Sequence, residues 1–558
     1  MAPVKLKSSS YRSLIFLVLI CTVCLLLSSK GIRDEGNFTP LGDMSRYMMN
    51  GVYFYDLVKD SPPFHKIIDY SVHYYAKYPA LSLGHHPLLL SATMIPFYAL
   101  FGISVFSAKL PVLLFMLLAA IVWFTLIRSW YDEYVAAMST LLLITTPYLV
   151  SLSRMAMSEI PTLALIILTT YLLYLYCKYE KIKHLVFFTV FTILSVYAKH
   201  TAIFMFPFYF IFFVIHKGIR RILRKDVLIA AMTIIVAIIP LIPLTYKFSH
   251  YNVLLTRMVT SKTAKTIPLN RFFHVLQSVW QNHLTIPVLV LSVISVGISF
   301  YRRDRKNIIF ILWIFSFYLL SVYLGAPTPR HTIYWIPPFC LLAATTIFIF
   351  KSRLWKVILS TVLILTATFQ FAVSIRSEPV YAHGYEEIAK YVVENWRGDS
   401  ILYCPRFDTG MFIFFVRKHS PSNNRVVLRA DKVLATSFMH FIIDDRIKSP
   451  KDIYHVLKNF GVSYVLIEDV EYDSKSLELL RKELSSNNFT LVQRIPIHSN
   501  RMMLVGSSLA LYEYVDYSGA NPEAVLHMNM PIMNDSIRVK FEDLINNSFP
   551  AEVGLDKP

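Results

Sequence analysis

The first two thirds of the chain alternate between long apolar runs and short loops rich in lysine and arginine. A transmembrane helix needs about 20 mostly apolar residues, so this pattern predicts a polytopic α-helical membrane protein. The first run covers 13–29. Its basic flank (Lys5, Lys7, Arg12) resembles that of a signal peptide, but no small-residue cleavage site follows. It is therefore expected to be the first spanning helix, with its N-terminus in the cytoplasm. Further spans are expected at 110–127, 135–150, 160–176, 185–198, 203–215, 227–246, 286–300, 308–324, 333–350 and 357–374. That is about eleven crossings, and each strong basic cluster then falls on one side of the membrane. The segment 87–104 is apolar but short, and it contains Pro96 and Gly102. As a crossing it would send the downstream basic loops to alternating sides. It is expected instead to lie along the outer surface as an amphipathic or re-entrant segment. Residues 30–108 then form a first outer loop and 247–284 a second.

From Arg376 the pattern changes. Residues 400–406, 425–430, 463–469, 490–497 and 508–515 are short runs rich in β-branched and aromatic residues, with amphipathic helical stretches at 383–396, 450–460 and 475–486. This predicts three parts: a membrane domain over 1–375, a soluble extracytoplasmic α/β domain over 376–515, and a polar C-terminal tail over 516–558.

Composition supports this division. Of 558 residues, 55% are hydrophobic and only 16% charged, against roughly 25% charged in soluble domains. The net charge of +19 is explained by cytoplasmic loops and does not call for nucleic acid as a partner; membrane lipids are the expected surroundings. The five cysteines show no metal-ligand spacing; Cys21 and Cys24 lie within the first apolar run. No metal site or cofactor is indicated, although a divalent metal is compatible with the chemistry below.

Ionisable residues at the ends of membrane helices are costly and often functional. All the candidates fall at the outer face. Asp43 lies in LGDMSRYMMNGVYFYD, with Tyr47 four residues on, so a helix there puts both on one face. Asp34 and Glu35 are nearby alternative acids. His85 and His86 precede Pro87, at a helix entry, as interfacial caps or as contacts to an anion. Arg154 and Glu159 bracket a loop between two spans, as an ion pair or as site residues. Lys199 and Arg330 each sit between apolar runs, either snorkelling to head groups or binding phosphate.

These elements, in this order, resemble the GT-C glycosyltransferases of the protein-mannosyltransferase and aminoarabinose-transferase type. The resemblance covers roughly residues 10–375 and rests on Asp43 with Tyr47, YPALSLGHHPLL, FGISVFSAKLP, SRMAMSEIP with Glu159, YAKHTAIFMFP with Lys199, and PRHTIYWIPP with Arg330. It implies a GT-C membrane domain and inverting transfer of a sugar from a polyprenyl-phosphate or polyprenyl-diphosphate donor. The acceptor would be a glycan, lipid or protein on the extracytoplasmic face, and the membrane would be the plasma (inner) membrane. By the same resemblance Asp43 would be the general base, and Glu159 would orient the acceptor or the base. Lys199, Arg330, His85, His86 and Arg154 would serve the donor phosphate, and Tyr47 the acceptor. The family often carries an Asp-Glu pair at the first-loop site. Here Met44 follows Asp43, while a literal Asp34-Glu35 pair lies upstream, so the choice of base stays open between them. A transporter or flippase of lipid-linked sugars would need charges deep within several helices, whereas these cluster at one end. A non-catalytic receptor with 376–515 as its binding module is the third reading.

Overall fold

The computed structural model describes residues 5–39, 43–83, 86–243, 268–324, 328–349, 352–420, 422, 425–438, 441–530 and 535–546. Helix α1 (Lys5–Ser28) leads to the segment expected to be outer, which holds α2 (Met44–Asp60), α3 (Ile67–Lys77) and α4 (Leu89–Phe101). The bundle continues with α5 (Val105–Trp130), α6 (Glu133–Thr145), α7 (Pro147–Ser153), α8 (Glu159–Tyr179), α9 (Ile182–Ala198), α10 (Phe206–Lys217) and α11 (Lys225–Ile238). It closes with α12 (Pro268–Ser278), α13 (Ile286–Arg302), α14 (Arg305–Leu324), α15 (Ile336–Thr345) and α16 (Arg353–Arg376).

Among the described residues seven helices are long and apolar enough to cross a membrane. An eighth is α6 with α7, bent by 64° where Pro147 supplies no backbone N–H. Helices α9 and α13 are apolar but only 17 residues long, about 26 Å at 1.5 Å per residue. The described part of α11 has 14 residues. Among the described residues seven or eight long spans therefore stand where about eleven were expected: α9 and α13 are a few ångströms shorter than the hydrocarbon thickness, and 244–246 of the expected span 227–246 lie outside the described residues.

Helix α4, 13 residues long, reaches only about 20 Å and does not qualify as a span. It packs along α2. Gly51 makes that approach possible: a Cβ there would stand 2.8 Å from Met94 Sδ and 3.1 Å from the Tyr98 ring. Ser91 Oγ and Tyr98 Oη donate to the carbonyls of Tyr47 and Met48 at 2.9 and 3.3 Å. The outer segment is thus a packed platform.

The C-terminal region, expected to be the soluble domain, is built on a five-stranded sheet. Its strands include β2 (Ser400–Cys404), β3 (Val426–Arg429), β6 (Val462–Glu468), β7 (Phe489–Pro496) and β9 (Ser508–Tyr514). The order is β3-β2-β6-β9-β7, with β3, β2 and β6 parallel and β9 antiparallel to both neighbours. Helix α17 (Tyr385–Glu394) precedes the sheet and α18 (Met411–His419) follows β2. Short pairs flank it: β1 (Ala382–His383) with β8 (His498–Ser499), and β4 (Ala435–Phe438) with β5 (Phe441–Asp445).

The expected polar tail is in part folded. Strands β10 (Val525–Met530) and β11 (Asp535–Lys540) form an antiparallel hairpin. Leu526, Met528, Ile537 and Val539 alternate inward, and Phe541 and Leu544 are buried after it. The alternation, with His527 and Asn529 at the outward positions of β10, is only two buried residues deep per strand, too short to stand out as a period-2 signal.

Candidate active site

Five polar side chains expected from sequence converge at one end of the bundle. Asp43 is the N-cap residue of α2. Its Oδ2 accepts from Arg330 Nη2 at 2.6 Å, and its Oδ1 lies 3.6 Å from His86 Nε2. Arg330 also approaches Glu159, Nε to Oε1 at 3.7 Å, and Lys199 Nζ donates to the same Oε1 at 2.5 Å. The second Glu159 oxygen, Oε2, is buried without a hydrogen-bond partner among the described residues. The result is a chain, His86–Asp43–Arg330–Glu159–Lys199, drawn from five parts of the sequence.

Local structure explains the convergence. Glu159 opens α8, where its charge meets the unpaired N–H groups of the first turn. Lys199 and Arg330 each stand at the start of a 3₁₀ turn, His200–Met205 and Pro329–Trp335, which runs on into α10 and α15. Prolines follow both turns, at 207 and at 337 and 338, where a helix start tolerates them. The turn bearing Arg330 is pinned on several sides. Trp313 Nε1 donates to the Tyr334 carbonyl at 3.0 Å, and Trp335 Nε1 donates to His283 Nδ1 at 3.0 Å. That bond leaves the His283 proton on Nε2, which donates to the Pro329 carbonyl at 2.9 Å. Burial pushes the His283 pKa down to about 4, so the imidazole is neutral and the carbonyl clamp persists.

Exposure grades across the cluster. The Glu159 and His86 side chains are 2% and 7% exposed, while Asp43 and Arg330 are 24% and 30% exposed. The buried end is fixed and the Asp43–Arg330 end opens outward. Burial pushes the Asp43 carboxyl up, but His86, Arg330 and Arg46 outweigh it and hold the pKa well below the usual carboxylate range. Asp43 is therefore ionised at every physiological pH.

Tyr47 is buried and reaches Ser158 Oγ at 2.9 Å, with its ring 4.8 Å from that of His86. It links α2 to the residue that precedes Glu159. The other expected residues lie elsewhere. Arg154 donates to the carbonyls of Leu27, Ser377 and Ser374 at 2.8, 3.0 and 2.9 Å. It ties α1 and α7 to the end of α16, with its N–H groups engaged by backbone carbonyls and Ser377 Oγ. Glu35 accepts from the Val105 and Phe106 amides at the start of α5 and from Lys418 of the soluble domain. Asp34 accepts from the Gly36 amide and faces His383. Both acids brace the outer segment away from the cluster. His85 lies outside the described residues. Among the described residues no three His, Cys, Asp or Glu side chains come together as metal ligands.

The soluble domain holds α2 from the outside. Ser45 Oγ donates to Asp408 Oδ2 at 3.3 Å, and a Cβ on Gly410 would stand 2.9 Å from Ser45 Cβ. Three turns along α2, Asp56 forms a buried ion pair with Arg417, at 2.5 and 2.9 Å, and accepts from Tyr74 Oη at 2.6 Å. Residues 45 and 56 share a helix face, so α18 lies along that face.

Residues 85–246 match the profile of the family described as dolichyl-phosphate-mannose-protein mannosyltransferase. Among solved structures, ArnT from Cupriavidus metallidurans, bound to undecaprenyl phosphate, superposes with a TM-score of 0.60 at 12% identity, over 91% of this chain and 99% of that one. The Archaeoglobus fulgidus oligosaccharyltransferase, in complex with Zn and sulfate, superposes with a TM-score of 0.51 at 11% identity, over 81% of this chain and 68% of that one. The chain has the GT-C fold. Comparison with curated protein sequences gives no significant match.

In this GT-C chain the reading from sequence missed Arg46, Ser158, His283 and Trp335. A further signal marks the two cations already expected and none of these four: Lys199-His200-Thr201 and Arg330-His331-Thr332 are the same cation-His-Thr triplet, each followed by an aromatic-rich turn and proline. Two copies of one helix-entry motif would have singled out both cations together.

Proposed function

We propose that the protein is a membrane glycosyltransferase. It takes a sugar from a polyprenyl-phosphate or polyprenyl-diphosphate donor and passes it, with inversion, to an acceptor on the extracytoplasmic face of the plasma (inner) membrane. The observation that carries this is the meeting of two cations, each from the entry of a different membrane helix, with two carboxylates on one face of the bundle. Such a set suits a lipid phosphate arriving along the membrane and a polar acceptor arriving from outside. In this reading the chain crosses the membrane eleven times, and the basic loops are cytoplasmic.

In the structure each cation is held by a carboxylate, Arg330 by Asp43 and Lys199 by Glu159. A donor phosphate would compete for Arg330 and Lys199, its oxygens taking the guanidinium in the bidentate geometry that arginine favours. Release of Arg330 removes part of what keeps the Asp43 carboxyl so acidic, so donor binding makes Asp43 a better base. The acceptor O–H or N–H then gives its proton to Asp43 as the acceptor atom bonds to the anomeric carbon. The bond from that carbon to the phosphate oxygen breaks on the opposite side. Its electron pair leaves with the lipid phosphate, where Lys199 and Arg330 stabilise the growing charge. Glu159 positions both cations.

The test is mass spectrometry of lipid retained by the purified full chain, with transfer measured on the same preparation. Wild type and Asp43→Asn should both retain a polyprenyl phosphate, and only wild type should transfer sugar. Normal transfer by Asp43→Asn would remove Asp43 as the base, and absence of such a lipid from every preparation would count against the donor class.

A further inference from the structure

The turn joining β8 to β9 carries apolar side chains where a loop in water is usually polar. Met502 is 92% exposed, Val505 70% and Met503 53%, while Leu504 between them is buried and anchors the turn. Arg501 is exposed beside them. Gly506 sits at φ +82 with no atom within 4 Å of where a Cβ would be, so the tip stands clear of the protein.

Register fixes where that tip points. Strands β1 and β8 are antiparallel, with Ala382 opposite Ser499 and His383 opposite His498. The pairing continues backwards: the Tyr381 amide donates to Asn500 Oδ1 at 3.2 Å, and Asn500 Nδ2 donates to the Pro379 carbonyl at 2.9 Å. Residues 377–381 connect directly to the end of α16 at Arg376. The chain therefore leaves the membrane along α16 while its partner strand runs back toward it. At about 3.3–3.6 Å per extended residue, the level of Pro379 lies within about 10 Å of the helix end. The head-group layer adds roughly 5–8 Å to each side of the hydrocarbon. Lys30 marks the same level, donating to the carbonyls of Ile375 and Ser377 at 2.6 and 3.0 Å.

We infer that Met502, Met503 and Val505 insert into the outer leaflet of the bilayer, with Arg501 against lipid phosphates, so that the soluble domain is pinned to the membrane by a second contact besides α16. Exposed apolar side chains with a flanking cation are the pattern of shallow interfacial insertion. The inference needs only the course of α16 through the membrane and stands apart from the proposed sugar transfer.

The test uses the full chain in a Cys21→Ser background, since Cys21 is the one cysteine that is not buried. Met502→Cys, and separately Met503→Cys, are labelled with an environment-sensitive nitrobenzoxadiazole. The protein is reconstituted in phosphatidylcholine–phosphatidylglycerol vesicles with and without a lipid carrying a doxyl group near the carbonyl end of its chain. Asn487→Cys, exposed at the far end of β7, is the aqueous control. Shallow insertion predicts blue-shifted emission at both tip positions, with about half of it lost to the doxyl lipid, and neither effect at 487. Red-shifted, unquenched emission at both tip positions overturns the inference. Blue-shifted but unquenched emission also overturns it, since the tip would then be covered by protein, such as a second copy of the chain.

Discussion

Asp43 at the end of the membrane bundle and Glu468 in the soluble sheet are both carboxylates held in place by polar neighbours. Around Glu468 the donors are neutral. The hydroxyls of Tyr385 and Tyr403 donate at 2.7 Å, the Arg406 amide at 2.6 Å, and the Phe407 amide as well. The carboxylate is fully buried and closes the gap between the ends of β2 and β6. That gap is the topological switch point, where open α/β sheets usually bind their ligands. Here the protein's own side chain fills it, and Asp408, on the same loop, reaches out to Ser45 of α2. Asp43 instead accepts from one charged donor, Arg330, which is nearly a third exposed, with His86 3.6 Å away, and the neighbouring Glu159 keeps an oxygen unpartnered among the described residues. Neutral, buried donors have no other partner to take, so the first arrangement is a brace. A partly exposed guanidinium can exchange one anion for another, so the second is a site.

Replacing each acid by its amide probes that contrast most strongly. Asp43→Asn should lower sugar transfer by about 10²–10⁴-fold, the usual contribution of a general base, with donor lipid still retained. Glu468→Gln should leave single-turnover transfer within a few-fold of wild type wherever the chain still folds. Comparable losses for both would erase the distinction between site and brace.

Loss of a cation should come next. Arg330→Ala and Lys199→Ala are each expected to slow transfer by about 10²–10³-fold, the scale of removing one stabilising donor. Both should weaken retention of polyprenyl phosphate, which Asp43→Asn should not. Titration of lipid phosphate into the purified variants separates the two behaviours, and unchanged binding in both would take the phosphate away from these cations.

The sequence shows the ingredients of the site more clearly than their use. The acids and cations stand out because ionisable groups are rare at helix ends, and the strands at 400–404, 426–429 and 462–468 stand out because they are short β-branched runs. Partner choice is not written locally. Arg154 and Arg330 have the same residue type and both lie at loop-to-helix boundaries, yet one meets backbone carbonyls and the other a carboxylate. Glu35 and Asp43 are separated by eight positions, and only the meeting of the start of α5 and Lys418 at Glu35 turns that acid into a helix cap. Helix α18 escaped notice because MFIFFV is apolar on every face, and an even apolar run carries no helical period. It is buried between the sheet and α2.

The brace can be tested where it grips α2. Removing one partner of a buried ion pair costs about 3–5 kcal/mol, so Arg417→Ala should expose α2 to hydrogen exchange over 44–56 and lower the unfolding temperature. Arg417→Met with Asp56→Leu should recover most of that stability, because no charge is left buried alone. A smaller change acts on position alone. Gly410→Ala puts a methyl 2.9 Å from Ser45, which must displace the start of α2 and Asp43 with it. Transfer should fall several-fold with lipid retention unchanged, and Ser45→Gly in the same chain should restore it. If Gly410→Ala transfers at the wild-type rate, the contact does not set the position of Asp43.

The smallest expected effect is a pH dependence that should separate the two acids. Burial pushes the Glu468 carboxyl up to about 7 against its ordinary 4.5, even though the Phe407 and Arg406 amides and the two tyrosine hydroxyls favour the charge. The folded chain therefore holds a proton there between pH 4.5 and 7 that the unfolded chain has released. Stability then declines as pH rises through this window, and it is flat with respect to this group above and below. The full change is about 3 kcal/mol, at 1.36 kcal/mol per pKa unit. Glu386 has the opposite sign. His419 and Lys418 hold it down to about 2, so its contribution is lost only as pH falls below the ordinary carboxylate range. Asp43, held lower still, is also silent in the upper window. Thermal unfolding of the full chain followed by tryptophan fluorescence should show the wild type losing a few degrees between pH 5 and 7.5, with Glu468→Gln nearly level over the same interval. Equal slopes in the two chains would mean that the brace carries a fixed charge throughout, and the contrast with Asp43 would then rest on the exposure and charge of its donor alone.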